Sequence, residues 1–152
     1  MGNRANVYIF TRAMVRRVAT EEPIKAQSGV YLYSHWGGDS LPFIVRQALD
    51  TTQERWGDTA YLTRAIFCGM VERDAMGLTG YGISALIQDN EHQIIVLDDD
   101  SQMIGFAEEP DYGDPQPLPS RWFTYKEYLD LTPKQIERVY QDSVYPEEDD
   151  GR

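Results

Sequence analysis

The sequence predicts a single α+β domain over residues 1–142, an antiparallel sheet of about five strands with two helices packed on one face and two short helices at the C-terminal end. Three observations carry that expectation. The stretch Gly29 to Asp50 joins an apolar run, Val30-Tyr31-Leu32-Tyr33, through Ser34-His35-Trp36-Gly37-Gly38-Asp39-Ser40 to a helix opening at Leu41-Pro42. Apolar residues at spacings of three and four then follow Asp58. From Leu78 onward the period shortens to that of strands, with polar turns between the apolar runs.

Taken in chain order, Val7-Tyr8-Ile9-Phe10 is β-branched and aromatic and reads as a strand. In residues 12–27, Val15 and Val18 flank the arginines Arg16 and Arg17 and favour a hairpin over a short helix, with Glu22-Pro23 breaking the run. Ser28-Gly29 reads as a turn into the next strand. Gly37-Gly38 permits backbone conformations closed to other residues, Asp39 or Ser40 can cap the first helix, and Pro42 suits its first turn. Phe43, Ile44, Gln47, Ala48 and Leu49 mark that helix, which fades near Thr51-Thr52. Asp58 is the expected cap of a second helix whose face, Leu62, Ala65, Ile66, Gly69 and Met70 with Tyr61 and Phe67, should make it the most buried helix. Cys68 lies in it, where a buried, inert thiol is expected. Residues 79–87, 94–97 and 103–106 read as an antiparallel meander with turns at Asp89–His92 and Asp98–Ser101. The segment Ala107 to Ser120 carries four prolines and four carboxylates and reads as a loop or extended arm. Thr124-Tyr-Lys-Glu127 and Thr132-Pro-Lys-Gln135 have capping-box spacing and predict helices over 125–131 and 133–142, followed by a flexible acidic tail, 143–152.

Charge narrows the function classes. A chain of 152 residues with 41% apolar composition can bury a core unaided. Its net charge is -11, and between Asp89 and Asp114 stand nine carboxylates and no lysine or arginine. Such a half repels phosphate backbones, and the candidate cation group for meeting them, Arg4, Arg12, Arg16, Arg17 and Lys25, lies in the first quarter; direct nucleic-acid binding is disfavoured. A protein partner with a basic surface is the complementary expectation. No apolar run approaches the roughly 18–20 residues that span a bilayer, and the N-terminus lacks a secretory-type apolar core, so a cytoplasmic protein without membrane association is expected.

Two sets of residues could carry function. The first is the junction His35, Trp36, Gly37, Gly38, Asp39 and Ser40, joined by His92: amides freed by the glycines and the helix start could meet a phosphate or carboxylate, with Arg46 near, although Asp39 opposes an anion. Both histidines adjoin strand ends and could share one end of the sheet, where neighbouring carboxylates could orient them for acid–base work. No three ligands stand in metal-site spacing, Asp98-Asp99-Asp100 lacks the calcium-loop pattern, and neither a metal nor a cofactor is expected. The second set is an acidic and aromatic surface for protein contact, Glu108, Glu109, Asp111, Asp114 and Trp122. The chain's 18 aromatic residues are numerous enough for some to be exposed, which also suits a homo-oligomer.

Met1-Gly-Asn-Arg-Ala5, Tyr31-Leu-Tyr-Ser-His-Trp-Gly-Gly38, Arg55-Trp-Gly-Asp-Thr-Ala-Tyr-Leu62 and Thr79-Gly-Tyr-Gly-Ile-Ser84 with Asp89-Asn-Glu-His92 form a set that resembles a group of small bacterial and phage proteins with a Tyr-Leu-x-x-His-Trp-Gly-Gly motif. The likeness spans residues 1–106 and implies a cytoplasmic accessory protein, without an activity to carry over. The expected function is a non-catalytic binding or inhibitor protein, in a phage setting an inhibitor of a host nucleic-acid-targeting defence complex. The alternative is a binding protein or hydrolase for a small nucleotide or phosphate ligand using the His35–Ser40 loop.

Overall fold

The middle of the sheet comes from one long hairpin at the start of the chain. A computed structural model describes residues 3–15, 19–72, 74, 76–77, 80–110 and 116–141. Strands β1 (Ala5–Val15) and β2 (Ile24–Ser34) pair antiparallel from Ala5 opposite Ser34 to Val15 opposite Ile24. The expected hairpin is thus present and larger than its sequence signal. Ser28-Gly29 is not a turn: Gly29 lies inside β2 opposite Phe10. Its glycine has a packing reason, since a Cβ there would stand 2.7–2.8 Å from Ile9 O, Phe10 Cβ and the Tyr8 ring.

Helices α1 (Leu41–Thr51) and α2 (Thr59–Met70) follow. Asp58 caps α2 as expected, accepting from the Tyr61 amide at 3.1 Å. Neither Asp39 nor Ser40 caps α1; a 3-10 turn, Gly38–Ser40, feeds into it instead, with the Leu41 amide donating to Gly38 O. A lost cap costs about 1 kcal/mol, whereas burying Leu41, Val45 and Leu49 completely contributes roughly 1.5–3 kcal/mol each. Packing therefore decides this helix. Its inward face is Leu41, Pro42, Val45, Ala48 and Leu49, so Phe43 and Ile44 are only half-buried, Gln47 is exposed, and α1 rather than α2 is the more buried helix. Cys68 faces solvent, contrary to the buried thiol expected, because the inward stripe of α2 runs through Leu62, Ile66 and Met70.

The meander is the main correction. Strand β3 (Tyr81–Ser84) pairs antiparallel with β2, while β4 (Ile94–Asp98) pairs parallel with β1. With β5 (Met103–Ala107) and β6 (Trp122–Thr124), a strand without a sequence signal, the order is β3-β2-β1-β4-β5-β6 in a six-stranded mixed sheet. Between β3 and β4 the chain crosses to the far side of β1, held by buried Asn6: its Nδ2 donates to Gln88 O and Asp89 O, and its Oδ1 accepts from the Gln88 amide. The uninterrupted apolar run of β4 fits this position, for all five of its residues are buried and its strand is covered on both faces.

One face of the sheet, with Val7, Ile9, Leu32, Ile95 and Leu97, forms the main core with the helices. Tyr8, Phe10, Tyr31, Ile94 and Val96 form a second cluster on the opposite face. The proline-rich segment is partly packed rather than a free arm: Pro117 and Pro119 are buried, and Pro119 lies where a Cβ on Gly105 would stand, 2.6 Å away. Both capping boxes form, opening α3 (Tyr125–Asp130) and α4 (Pro133–Gln141). Each of three buried tyrosine hydroxyls then donates at 2.8 Å to a different part of the fold: Tyr125 to Asp99 Oδ1, Tyr128 to Pro42 O and Tyr140 to Gly38 O.

Candidate functional site

The register of the sheet brings both histidines to one end. β2 ends where β1 begins, and β4, parallel to β1, begins at the same level, so His35 and His92 flank the residues preceding β1. Asn3 connects them. Its amide donates to His35 O at 2.9 Å, its carbonyl accepts from the Gly38 amide at 2.8 Å, and its side-chain Oδ1 accepts from His92 Nε2. An amide oxygen only accepts, so this bond places the His92 proton on Nε2. The His92 ring stacks on Tyr140 at 5.0 Å and 7°, with Asp39 Oδ1 3.7 Å from Nε2. Gly38 closes the knot: a Cβ there would stand 2.6–2.7 Å from Asn3 O, Asn3 Oδ1 and His92 Cδ2.

His35 is equally committed. Its amide donates to Gly80 O, its Nδ1 bonds the Tyr33 hydroxyl at 2.8 Å, and its ring meets Trp36 edge-on at 4.0 Å. Trp36 covers Gly80, which has φ +96°, and yet remains 60% exposed. Burial raises the Tyr33 hydroxyl above its ordinary range, Arg4 opposing.

Four of the amides that the sequence suggested for an anion are bonded within the protein. Gly37 donates to Ser34 Oγ, Gly38 to Asn3 O, Ser40 to Gly37 O and Leu41 to Gly38 O. None of these four is left to cradle a phosphate, and the exposed Asp39 carboxylate stands at the same turn. Arg46 turns away from the loop and donates from Nη2 to Leu129 O at 2.7 Å. Among the described residues no group of three His, Cys, Asp or Glu side chains is arranged to hold a metal.

The acidic candidates divide. Glu108 and Glu109 are exposed just beyond the Ile94–Ala107 pair, at the same end of the sheet as both histidines. Asp111 and Asp114 lie outside the described residues. Trp122 is half-buried and packs against the Tyr8–Phe10–Tyr31 cluster. The carboxylates gathered at this end are therefore Asp39, Asp89, Glu91, Glu108 and Glu109, the first two with side chains 80% exposed. Arg4 sits among them, 4.0 Å from Asp89 and 3.9 Å from Glu91. Burial, Tyr8 and then Glu109 push the Tyr31 hydroxyl up to about 12.

At the opposite end of β4 the aspartate run is a turn, as expected, but it is also a clamp. Asp98 pairs with Arg12 at 2.8 Å, Asp100 accepts from the Arg12 amide, and buried Asp99 accepts from the Tyr125 and Thr59 hydroxyls. Three consecutive aspartates give no hint that Asp98 and Asp99 are buried and Asp100 exposed; only partners distant in sequence decide it.

Compared with known proteins, the chain matches no family model, no curated protein and no solved structure. Among the described residues no helix is long and apolar enough to cross a membrane.

Proposed function

We propose that this is a non-catalytic binding protein whose acidic sheet end, with Trp36 beside it, engages a protein partner with a basic surface. The observation that carries the reading is the convergence of Asp39, Asp89, Glu91, Glu108 and Glu109 from three separate connections onto one end of the sheet, where Trp36 is 60% exposed. Long-range attraction to a basic surface speeds encounter, and an exposed tryptophan supplies the apolar anchor that charge alone lacks. The histidines that could have performed chemistry hold the end together: both rings are packed and bonded to residues of the fold. The resemblance implies a bacterial or phage setting; in a phage one, such a surface would compete with nucleic acid for the basic groove of a host defence complex.

The test is capture of partners from a bacterial lysate by the full chain, with mass spectrometry of what is retained. Changing Asp89, Glu108 and Glu109 to lysine should abolish retention of a basic partner at low salt while the far-UV spectrum stays native. The native complex should weaken as salt shortens the Debye length toward about 8 Å. Retention unchanged by the triple reversal would remove the acidic end from the function.

A further inference from the structure

One arginine of α2 is left without a partner. Arg4, Arg12 and Arg55 stand beside carboxylates, Arg46 donates to Leu129 O, and Arg121 and Arg138 are engaged as well. Arg64 is exposed and, alone among the described arginines, makes no hydrogen bond or ion pair with any described residue. Carboxylates outnumber lysine and arginine by 25 to 14 in this chain, so a guanidinium without one is unexpected.

Arg64 lines a groove of ≈ 520 Å³ that opens between α2 and the sheet. On the helix, Thr59, Thr63 and Phe67 recur every fourth residue beside the inward stripe of Leu62, Ile66 and Met70, and with Arg64 they form one wall. The facing wall is the β1–β2 hairpin, where alternate residues share a face. Its pair Ile9–Val30 is apolar, and the next pair on that face, Thr11–Ser28, carries hydroxyls. Ile83, 60% exposed and paired with Leu32, continues the apolar end beyond Val30. The groove therefore runs from hydroxyls to hydrocarbon. The Thr59 and Thr63 hydroxyls already donate, to Asp99 and to Thr59 O, whereas those of Thr11 and Ser28 make no hydrogen bond to any described residue.

We infer that this groove binds a small amphipathic carboxylic acid, with its carboxylate on Arg64 and its apolar body along Val30, Phe67 and Ile83. The guanidinium selects the anion, because its parallel N–H donors match the two oxygens of a carboxylate. Net charge selects the valence. One cation neutralises one charge, and a molecule of net charge -11 resists a phosphate ester or nucleotide that brings more. The apolar lining selects the body: Val30 and Phe67 pack against the main core yet stay half-buried, so hydrocarbon laid over them completes their removal from water. The volume lies within the range of roughly 300–1,000 Å³ typical of small-molecule sites. None of the carboxylates of the acidic sheet end lines this groove, so the inference stands apart from the reading of that end.

Decanoate, below its micelle concentration, is the probe, with decanol as the uncharged counterpart and decyl phosphate as the more highly charged one. Titration of the full chain, followed by nitrogen–proton correlation spectra, should give saturable shifts at the amides of Thr11, Ser28, Thr63, Phe67 and Ile83. Arg64→Gln, at an exposed site, should weaken decanoate about tenfold, the loss of one charge-assisted contact, and leave decanol unchanged. Ile83→Asp, which sets a carboxylate at the apolar end, should abolish binding of both and supplies a second test should the first variant misfold. Absence of saturable shifts, shifts confined to residues outside the groove, or an affinity for decanoate unaltered by Arg64→Gln overturns the inference. Decyl phosphate binding more tightly than decanoate overturns the choice of a carboxylate.

Discussion

The end of the sheet that holds the histidines and the edge formed by β3 differ in how their polar groups and space are used. At the first, Asn3, His35, Gly38, His92 and Tyr140 bond one another, and there is no room for a single added carbon at Gly38. At the second, Gly82 could take a Cβ whose nearest neighbours are Tyr33 atoms at 3.9–4.0 Å, and Ile83 lies open to solvent. The residue types that suggest chemistry are thus committed to architecture, and the uncommitted surface is made of plain apolar residues and carboxylates. Reactivity cannot be inferred from residue type before the partners of each group are known.

Alkaline pH should have the largest effect, through Tyr140 in the closed region and through Tyr128 and Tyr125 elsewhere in the core. Burial raises the hydroxyls of Tyr125, Tyr128 and Tyr140 well above the ordinary tyrosine range, with Asp99 adding to the effect at Tyr125 and Asp39 at Tyr140. A raised acid holds its proton longer folded than unfolded, so the folded state binds more protons above about pH 10, where unfolded tyrosines ionise. Stability contributed by the neutral hydroxyls is full below that pH and is lost as pH rises beyond it. Spectrophotometric titration should show these tyrosines ionising together with loss of the circular dichroism signal. Gradual, reversible ionisation of these tyrosines, Tyr140 included, in a folded protein would show the closed region and the core beside it to be looser than their contacts indicate.

Gly38→Ala should have the next largest effect. The added carbon meets the Asn3 backbone carbonyl, which cannot swing aside as a flexible side chain would. Overpacking of this kind costs about 1–3 kcal/mol. Chemical denaturation should show the midpoint falling with an unchanged slope. A neutral result would mean that the Asn3 segment moves freely, and that His92 is not held as the structure has it.

Much of this fold can be read from local pattern. Asp58, Thr124 and Thr132 act within a few residues of themselves, and all three helix starts they announce are present. The failures are those of partnership across the chain. Ser28-Gly29 has the composition of a turn, but Gly29 answers to the Tyr8 ring and the backbone of Ile9. The apolar runs at Tyr81 and Ile94 are both strands, yet Asn6, far away in sequence, decides that they do not pair with each other. β6 spans only Trp122–Thr124, too short for any period to register. For the site, sequence placed His35 and His92 at strand ends correctly; what it could not contain was Tyr140 beneath His92 and Asn3 between the two histidines.

The smallest expected effect sharpens the contrast between the two regions, because it makes the same substitution at the open one. Gly82→Ala adds its carbon at ordinary van der Waals distance from Tyr33, at a residue whose φ does not require glycine. Where the native backbone accommodates alanine, the substitution restricts the unfolded chain and stabilises by about 0.4–1 kcal/mol. A small rise in the denaturation midpoint is therefore expected, against the fall predicted for Gly38→Ala. Should Gly82→Ala destabilise as much as Gly38→Ala, β3 would be as tightly constrained as the histidine end, and the distinction between a closed end and an open edge would fail.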